Sequence, residues 1–554
     1  MYGGFNMANL FPRTTISRKN LIELTASGLG LLVPLLTAGG TQAADLPVKA
    51  KAVEYVKVCS LYGAGFFYIP GTDTCIKLGG FLRADTTFNG GVYDQPAWSG
   101  SLGGGDRFVD FIYSRSRLGL TVDTRTATEY GVVRTFMQTD FQFNNFGTQN
   151  GATSSFGVGG GIGAAGSSGN TGFVTAGQLS GLNSNLLNQP GGGYVAVENV
   201  FIQFAGFTFG KSASAYATPW HGYPGNNTSY LIGGHDTVTG VNNIQYTAQF
   251  GNGVSGTIGL DDPTVFNRTA LYNLSTGVGA NGFATTAYGG FVAPDLVGNI
   301  RINQAWGLFQ ISGALHDING SYNSMGAFNT PSALSILSGH PDSKLGGSVM
   351  GALQIKNIPT GAGDDIKFDA SWAQGDTKQV ISTSALSYSY AMVGGVPGQL
   401  GPNNTYGFGA TTDGVWLPTA FGGDGAIHLT TSYGLRGAFN HNWNPNWSSS
   451  LFGGMGWVRY DDTARAEYCA VYALAAPGRT YSCNPNYSIS MLGGVIRWVP
   501  VKNLALSAEM IWAHLNTGFS GNAIFTPGAP QPTQLWTYHN QDTLSLNVRI
   551  GRLF

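Results

Sequence analysis

Thr543-Leu544-Ser545-Leu546-Asn547-Val548-Arg549-Ile550-Gly551-Arg552-Leu553-Phe554 ends the sequence and decides the fold. Leu544, Leu546, Val548, Ile550 and Phe554 fall on one face, and Thr543, Ser545, Asn547 and Arg549 on the other. A period of two with one apolar and one polar face is the pattern of a half-solvated strand. An open terminal edge invites aggregation, and closing the sheet on itself removes that edge. With its apolar side toward lipid and its polar side toward water, such a strand closes a transmembrane antiparallel β-barrel.

Composition agrees. Of 554 residues only 10% are charged, against roughly 25% in ordinary soluble domains. The 84 glycines, with Ser, Thr and Asn, take the place of that charge. Strands with lipid on one side and water on the other need no continuous apolar run. A formal net charge of -1 gives no electrostatic case for a nucleic-acid partner.

Residues 1–43 read as an export signal. Arg13, Arg18 and Lys19 form a positive region, Gly28–Leu36 a short apolar one, and Thr41-Gln42-Ala43 a small-residue cleavage site. The long positive region leaves both Met1 and Met7 open as the start. The apolar run is too short to span a bilayer comfortably. Residues 44–74 then form an amino-terminal segment on the periplasmic side, and 75–554 the barrel. Cys59/Cys75 and Cys469/Cys483 form two local pairs, which suits disulfides in an oxidising compartment.

Sixteen alternating segments are predicted, at 75–88, 110–123, 128–143, 194–204, 207–215, 242–250, 254–262, 295–305, 308–318, 344–357, 365–378, 426–442, 447–460, 487–500, 504–516 and 543–554. Their connections alternate short and long. Several short ones carry turn residues, such as Gly251-Asn252-Gly253 and Asn444-Pro445-Asn446. Short turns then lie at one rim and long loops at the other, the polarity of an outer-membrane barrel. In the eleventh segment Ile366, Phe368, Ala370 and Trp372 oppose Lys367, Asp369 and Ser371. In the twelfth Ile427, Leu429, Tyr433, Leu435 and Phe439 oppose His428, Thr430, Ser432, Arg436 and Asn440. The fourteenth, with Ile496, Arg497 and Trp498, does not sort into two faces.

Asp45–Lys51, the stretch from Cys59 to Gly80 (Cys-Ser-Leu-Tyr-Gly-Ala-Gly-Phe-Phe-Tyr-Ile-Pro-Gly-Thr-Asp-Thr-Cys-Ile-Lys-Leu-Gly-Gly) and Phe201–Lys211 together closely resemble the general porins of alphaproteobacteria, of the Rhizobium and Brucella type. The resemblance implies a sixteen-stranded homotrimer whose third external loop folds into the lumen. It also implies a terminal aromatic, Phe554, that the barrel-assembly machinery reads, and a setting of outer-membrane lipid and lipopolysaccharide.

Arg83, Lys77, Arg115, Arg117 and Arg134 share the inward parity and form a candidate basic wall at a pore constriction; Asp85 and Asp140 share it too. Strands about 4.8 Å apart would bring such charges onto one patch. The loop near 216–241 follows the short fifth strand and is the candidate constriction loop. It offers Asp236, His221 and His235, with one carboxylate where cation-selective porins place several. The bland alternative is a solvated inner wall with paired charges.

Ala205–Ser212 satisfies a relaxed phosphate-loop pattern, but alternating Phe and Thr fill its middle and no helix pattern follows. The eight histidines show no metal-ligand spacing, so no metal or other cofactor is expected. No nucleophile and base can be paired, so no catalytic residue and no enzyme activity are expected. The expected function is a water-filled channel for passive diffusion of small hydrophilic solutes and ions. A substrate-specific porin with a binding track, or a surface adhesin or structural barrel without transport, are the alternatives.

Overall fold

The computed structural model describes residues 57–90, 111–144, 194–226, 231–235, 239–264, 268–324, 336–381, 389–396, 398–476, 480–527 and 531–554. The expected export signal, and the amino-terminal segment up to residue 56, lie outside them.

Sixteen long strands make the barrel: β1 (Thr74–Phe88), β2 (Ile112–Thr128), β3 (Gly131–Asn144), β4 (Tyr194–Phe204), β5 (Phe207–Ser212), β6 (Val241–Gly251), β7 (Val254–Asp261), β8 (Asp295–Gln304), β9 (Gly307–Ile318), β10 (Lys344–Lys356), β11 (Asp365–Gln374), β12 (Thr431–Asn444), β13 (Trp447–Arg459), β14 (Tyr487–Val501), β15 (Leu504–Thr517) and β16 (Gln541–Leu553). Each pairs antiparallel with the next. β16 pairs with β1 from Phe81↔Leu553 to Phe88↔Leu546, which closes the sheet. Phe554 continues the seam, its N–H donating to the Gly80 carbonyl at 3.1 Å. Closure satisfies the strand backbone internally, the condition for crossing lipid. No helix among the described residues is long and apolar enough to cross a membrane.

Local chemistry sets the hairpins. Ala205-Gly206 and Asn252-Gly253 each put two successive residues at positive φ, as the tight turns that match strand twist require. Ala205-Gly206 joins Phe204 to its partner Phe207, so the phosphate-loop pattern is a hairpin. Outward positions are exposed and apolar: Leu544, Leu546, Val548 and Ile550 on β16, and Ile366, Phe368 and Trp372 on β11. β14 is resolved in the same way. Leu492, Ile496 and Trp498 are exposed on the outer face, while Met491 and Val495, which share the parity of Arg497, are buried within.

The long connections depart from expectation, because they fold. The one at 461–486 holds helix α1 (Asp462–Ala475), whose N-cap Asp461 accepts from the Ala464 amide at 2.7 Å. Five short strands, Tyr390–Val393, Thr405–Gly409, Gln534–Tyr538, Ser520–Phe525 and Thr480–Ser482, form one sheet. Ala270–Asn273, Thr412–Trp416 and His428–Leu429 form another. The expected twelfth strand therefore starts too early. Ile427 is buried with Leu271, Ile318 and Trp416 instead of facing lipid, and His428 pairs with Val415. The two-residue period runs on across the break, so alternation cannot reveal that the chain changes sheets. The eleventh also ends sooner, at Gln374, before a helical turn at Lys378–Ile381.

An aromatic core holds this external layer together. Phe408 lies 4.7 Å from Phe519 and 5.5 Å from Tyr406, and Phe519 lies 5.3 Å from Tyr538. Disulfide Cys469–Cys483 ties α1 to the edge strand Thr480–Ser482, and Cys59–Cys75 ties the amino-terminal segment to β1. Asp413 joins the layer to the barrel rim. Its carboxylate accepts from the Thr269 amide at 2.9 Å, the Thr377 amide at 2.8 Å and the Tyr288 hydroxyl at 2.7 Å.

Candidate functional site

Register on β1 and β2 sets Arg83 opposite Arg117 and Asp85 opposite Arg115. β16 adds Arg549 opposite Asp85. Arg115 meets Asp85 at 2.9 Å, and the Nε atoms of Arg549 and Arg83 approach the same carboxylate at 3.5 and 3.9 Å. Arg117 lies 2.9 Å from Asp140 and 3.1 Å from Glu198. Four guanidiniums thus share three carboxylates. Phe81 lies under the Arg83 guanidinium at 5.1 Å and covers Gly119, where a Cβ would collide with the ring.

Lys77 and Arg134 are elsewhere. Lys77 is paired across the sheet with Asp123, and Arg134 with Arg125. Arg125 and Arg134 both grip Asp123, at 3.2 and 3.0 Å. This second group lies six residues down the strand from Arg83, or about 20 Å. It is at the short-turn end, where Lys77 Nζ sits 5.9 Å from the Phe66 ring. Equal parity fixes the face of a strand and leaves the height free, so the expected single patch is two.

The chain between β5 and β6 lines the inside of the opposite wall. Ala215 and Ala217 carbonyls accept from Asn299 of β8 at 2.6 Å and from Gln310 of β9 at 2.7 Å. Tyr223 donates to Asp369 of β11. The Gly233 carbonyl accepts from Ser371 of β11 at 3.1 Å, and the His235 carbonyl from Arg436 of β12 at 2.9 Å. Asn226 bonds Glu509 and Ser507 of β15, and Asn547 and Arg549 of β16. Thr239 returns to Glu198 of β4 at 2.6 Å. The segment thus crosses from the far wall to the charged one.

Glycine makes the close approach possible. Gly233 has φ +110°, and a Cβ on it would lie 2.5 Å from the Leu435 carbonyl. One on Gly234 would meet Asp369 at 2.5 Å and Arg436 at 2.8 Å. Asp369 and Arg436 are register partners on β11 and β12, 3.1 Å apart and fully buried. His235 is buried, and His221 exposed. Burial, then the charge of Lys378, pushes the His235 imidazole down to about 3, with the Gln379 side chain partly offsetting them. Asp236 lies outside the described residues.

Sequence reasoning did not single out Glu198 or the Gly233-Gly234 pair. Arg549, Asp369 and Arg436 had been placed on polar faces without a role. Their neighbours depend on register between strands and on a loop distant in sequence, which alternation does not carry.

The family model described as the porin subfamily matches residues 45–546. This chain belongs to the porin subfamily. Porin Omp2b of Brucella canis is 31% identical over 287 residues, and so is its counterpart from Brucella suis biovar 1. The alignment covers 50% of this chain and 62% of those porins' length. Among solved structures, the outer membrane channel DcaP of Acinetobacter baumannii superposes with a TM-score of 0.50. It covers 88% of this chain and 99% of its own, at 13% identity, a likeness of fold alone. As a porin-subfamily barrel, the chain sits in the bacterial outer membrane, its short turns at the periplasmic rim.

Proposed function

We propose that the chain is an outer-membrane channel for passive diffusion of small hydrophilic solutes and ions, and that it works as a homotrimer. The observation that carries this reading is a closed barrel whose inner wall holds paired charges facing a loop bonded to the opposite wall. Such a channel works by exclusion and field, not by turnover. The segment 213–240 is its constriction loop, with Arg83, Arg115, Arg117, Asp85 and Asp140 on the charged wall, to which Arg549 and Glu198 tie it through Asn226 and Thr239. Lys77 and Arg134 with Asp123 form a separate periplasmic vestibule. Residues 1–43 direct export, and Phe554 is part of the assembly signal.

A concavity of about 720 Å³ on the outer wall supports side-by-side packing. Ala84, Thr86, Ser114, Ser116 and Ala508 floor it, and Phe143, Trp447 and Trp498 flank it. Single-channel recording of the purified protein in planar bilayers tests the reading. Stepwise, ohmic conductance with weak selectivity is expected. An insertion-competent barrel that carries no current would favour a structural surface role.

A further inference from the structure

On the external rim, away from the constriction, the turn before β12 meets α1. Three ligand-type atoms, from Asp424, His428 and Glu467, lie within 4.8 Å of one another. His428 Nε2 is 3.0 Å from Asp424 Oδ2, and its Nδ1 is 3.1 Å from Asp461 Oδ2. Glu467 Oε1 accepts from the Asp424 amide at 3.1 Å. Its Oε2 is buried without a hydrogen-bond partner, although the Leu417 amide approaches the same carboxyl. The residue is 7% exposed.

Taken alone, an exposed aspartate and a histidine four residues on make an ordinary surface pair. The Glu467 oxygen changes that. A carboxylate buried with an unanswered acceptor costs free energy unless a cation or a proton occupies it. Asp461 supplies the other half of the arrangement. Metal-bound histidines commonly donate their second N–H to a carboxylate, which fixes the tautomer and aims the free nitrogen at the ion. Here Nδ1 faces Asp461, and Nε2 faces the space shared with Asp424 and Glu467.

We propose that Asp424, His428 and Glu467 bind one divalent cation of the zinc class, clipping the turn at 422–428 to helix α1. One imidazole nitrogen and two carboxylate oxygens suit zinc, cobalt or nickel better than calcium or magnesium, which take all-oxygen shells. Three protein ligands leave room for water to complete the shell. Lys344 is an opposing charge near the Asp424 carboxylate, acting after the Ala426 amide and His428. Protons compete with the cation for imidazole and carboxylate ligands, so affinity should fall as pH drops.

Cobalt titration of the folded, full-length protein in detergent, followed by visible absorption, tests this. One saturable cobalt per chain, displaced by zinc, is expected. His428→Ala with Glu467→Gln should remove at least nine-tenths of the signal, and Asp461→Asn should weaken affinity about 10-fold. Asp424→Asn, at a half-exposed position, serves if the double variant does not fold. No saturable spectrum from the wild type, or a spectrum retained in these variants, would overturn the site.

Discussion

Arg115 and Arg83 look equivalent in the sequence, yet they differ in what they present to water. The Arg115 side chain is 4% exposed and committed to Asp85, whereas Arg83 is 20% exposed. Field in the opening should follow the exposed charge. Arg83→Ser is therefore expected to move the reversal potential toward cations more than Arg115→Ser does, and the shift should shrink as salt shortens the reach of wall charges. Arg115→Ser should instead act on stability, by about 3 kcal/mol, the low end for breaking a buried pair, since Arg83 and Arg549 still face Asp85. Bilayer recording and thermal unfolding separate the two. His235 gives a pH test. Its folded imidazole titrates near 3, while an unfolded or undocked one titrates near 6.5. The undocked loop therefore binds the extra proton, and docking weakens as pH falls from about 6.5 toward 3. Current fluctuations should grow over that window in wild type and stay flat in His235→Gln.

Elements were legible where they obey one period. The barrel strands follow from alternation and turn residues, because lipid and water on opposite faces impose the pattern; the faces of β14 do not, because Met491 and Val495 make its inner face apolar too. The external layer was not legible. Its aromatic core draws on Tyr406, Phe408, Tyr472, Phe519 and Tyr538 from separate loops, and no local period links them. α1 passed for loop because a single helix packed by tertiary contacts leaves little signal in a short, Ala- and Tyr-rich stretch. The place of the segment between β5 and β6, after a short strand, is legible in the sequence; its contacts are not. Gly233-Gly234 is where those contacts can be tested. Gly234→Val would drive a side chain into the Asp369–Arg436 pair and lift the loop from the wall. Larger and noisier single-channel conductance is expected, with the barrel still resistant to detergent. Unchanged conductance would place the constriction elsewhere.

At the scale of the molecule, the external layer should stiffen the mouth. Cys469–Cys483 closes a short stretch with a sequence separation of 14, worth about 3 kcal/mol in the chain-entropy model. Replacing both with Ser should raise amide exchange in α1 and at Thr480–Ser482 while leaving the transmembrane strands protected. The seam has a different consequence. Thr87 and Asn547 touch at 2.7 Å although 460 residues separate them. Bringing two such distant segments together costs about 5 kcal/mol of chain entropy beyond a constant. Every other pair of neighbours in the barrel wall is far closer along the chain, so hairpins can zip locally and the seam comes last. Until then the chain is an open sheet with two unsatisfied edges, for which lipid is a poor host. Timing thus becomes part of the structure: the first edge has to stay unpaired for as long as the last strand takes to arrive.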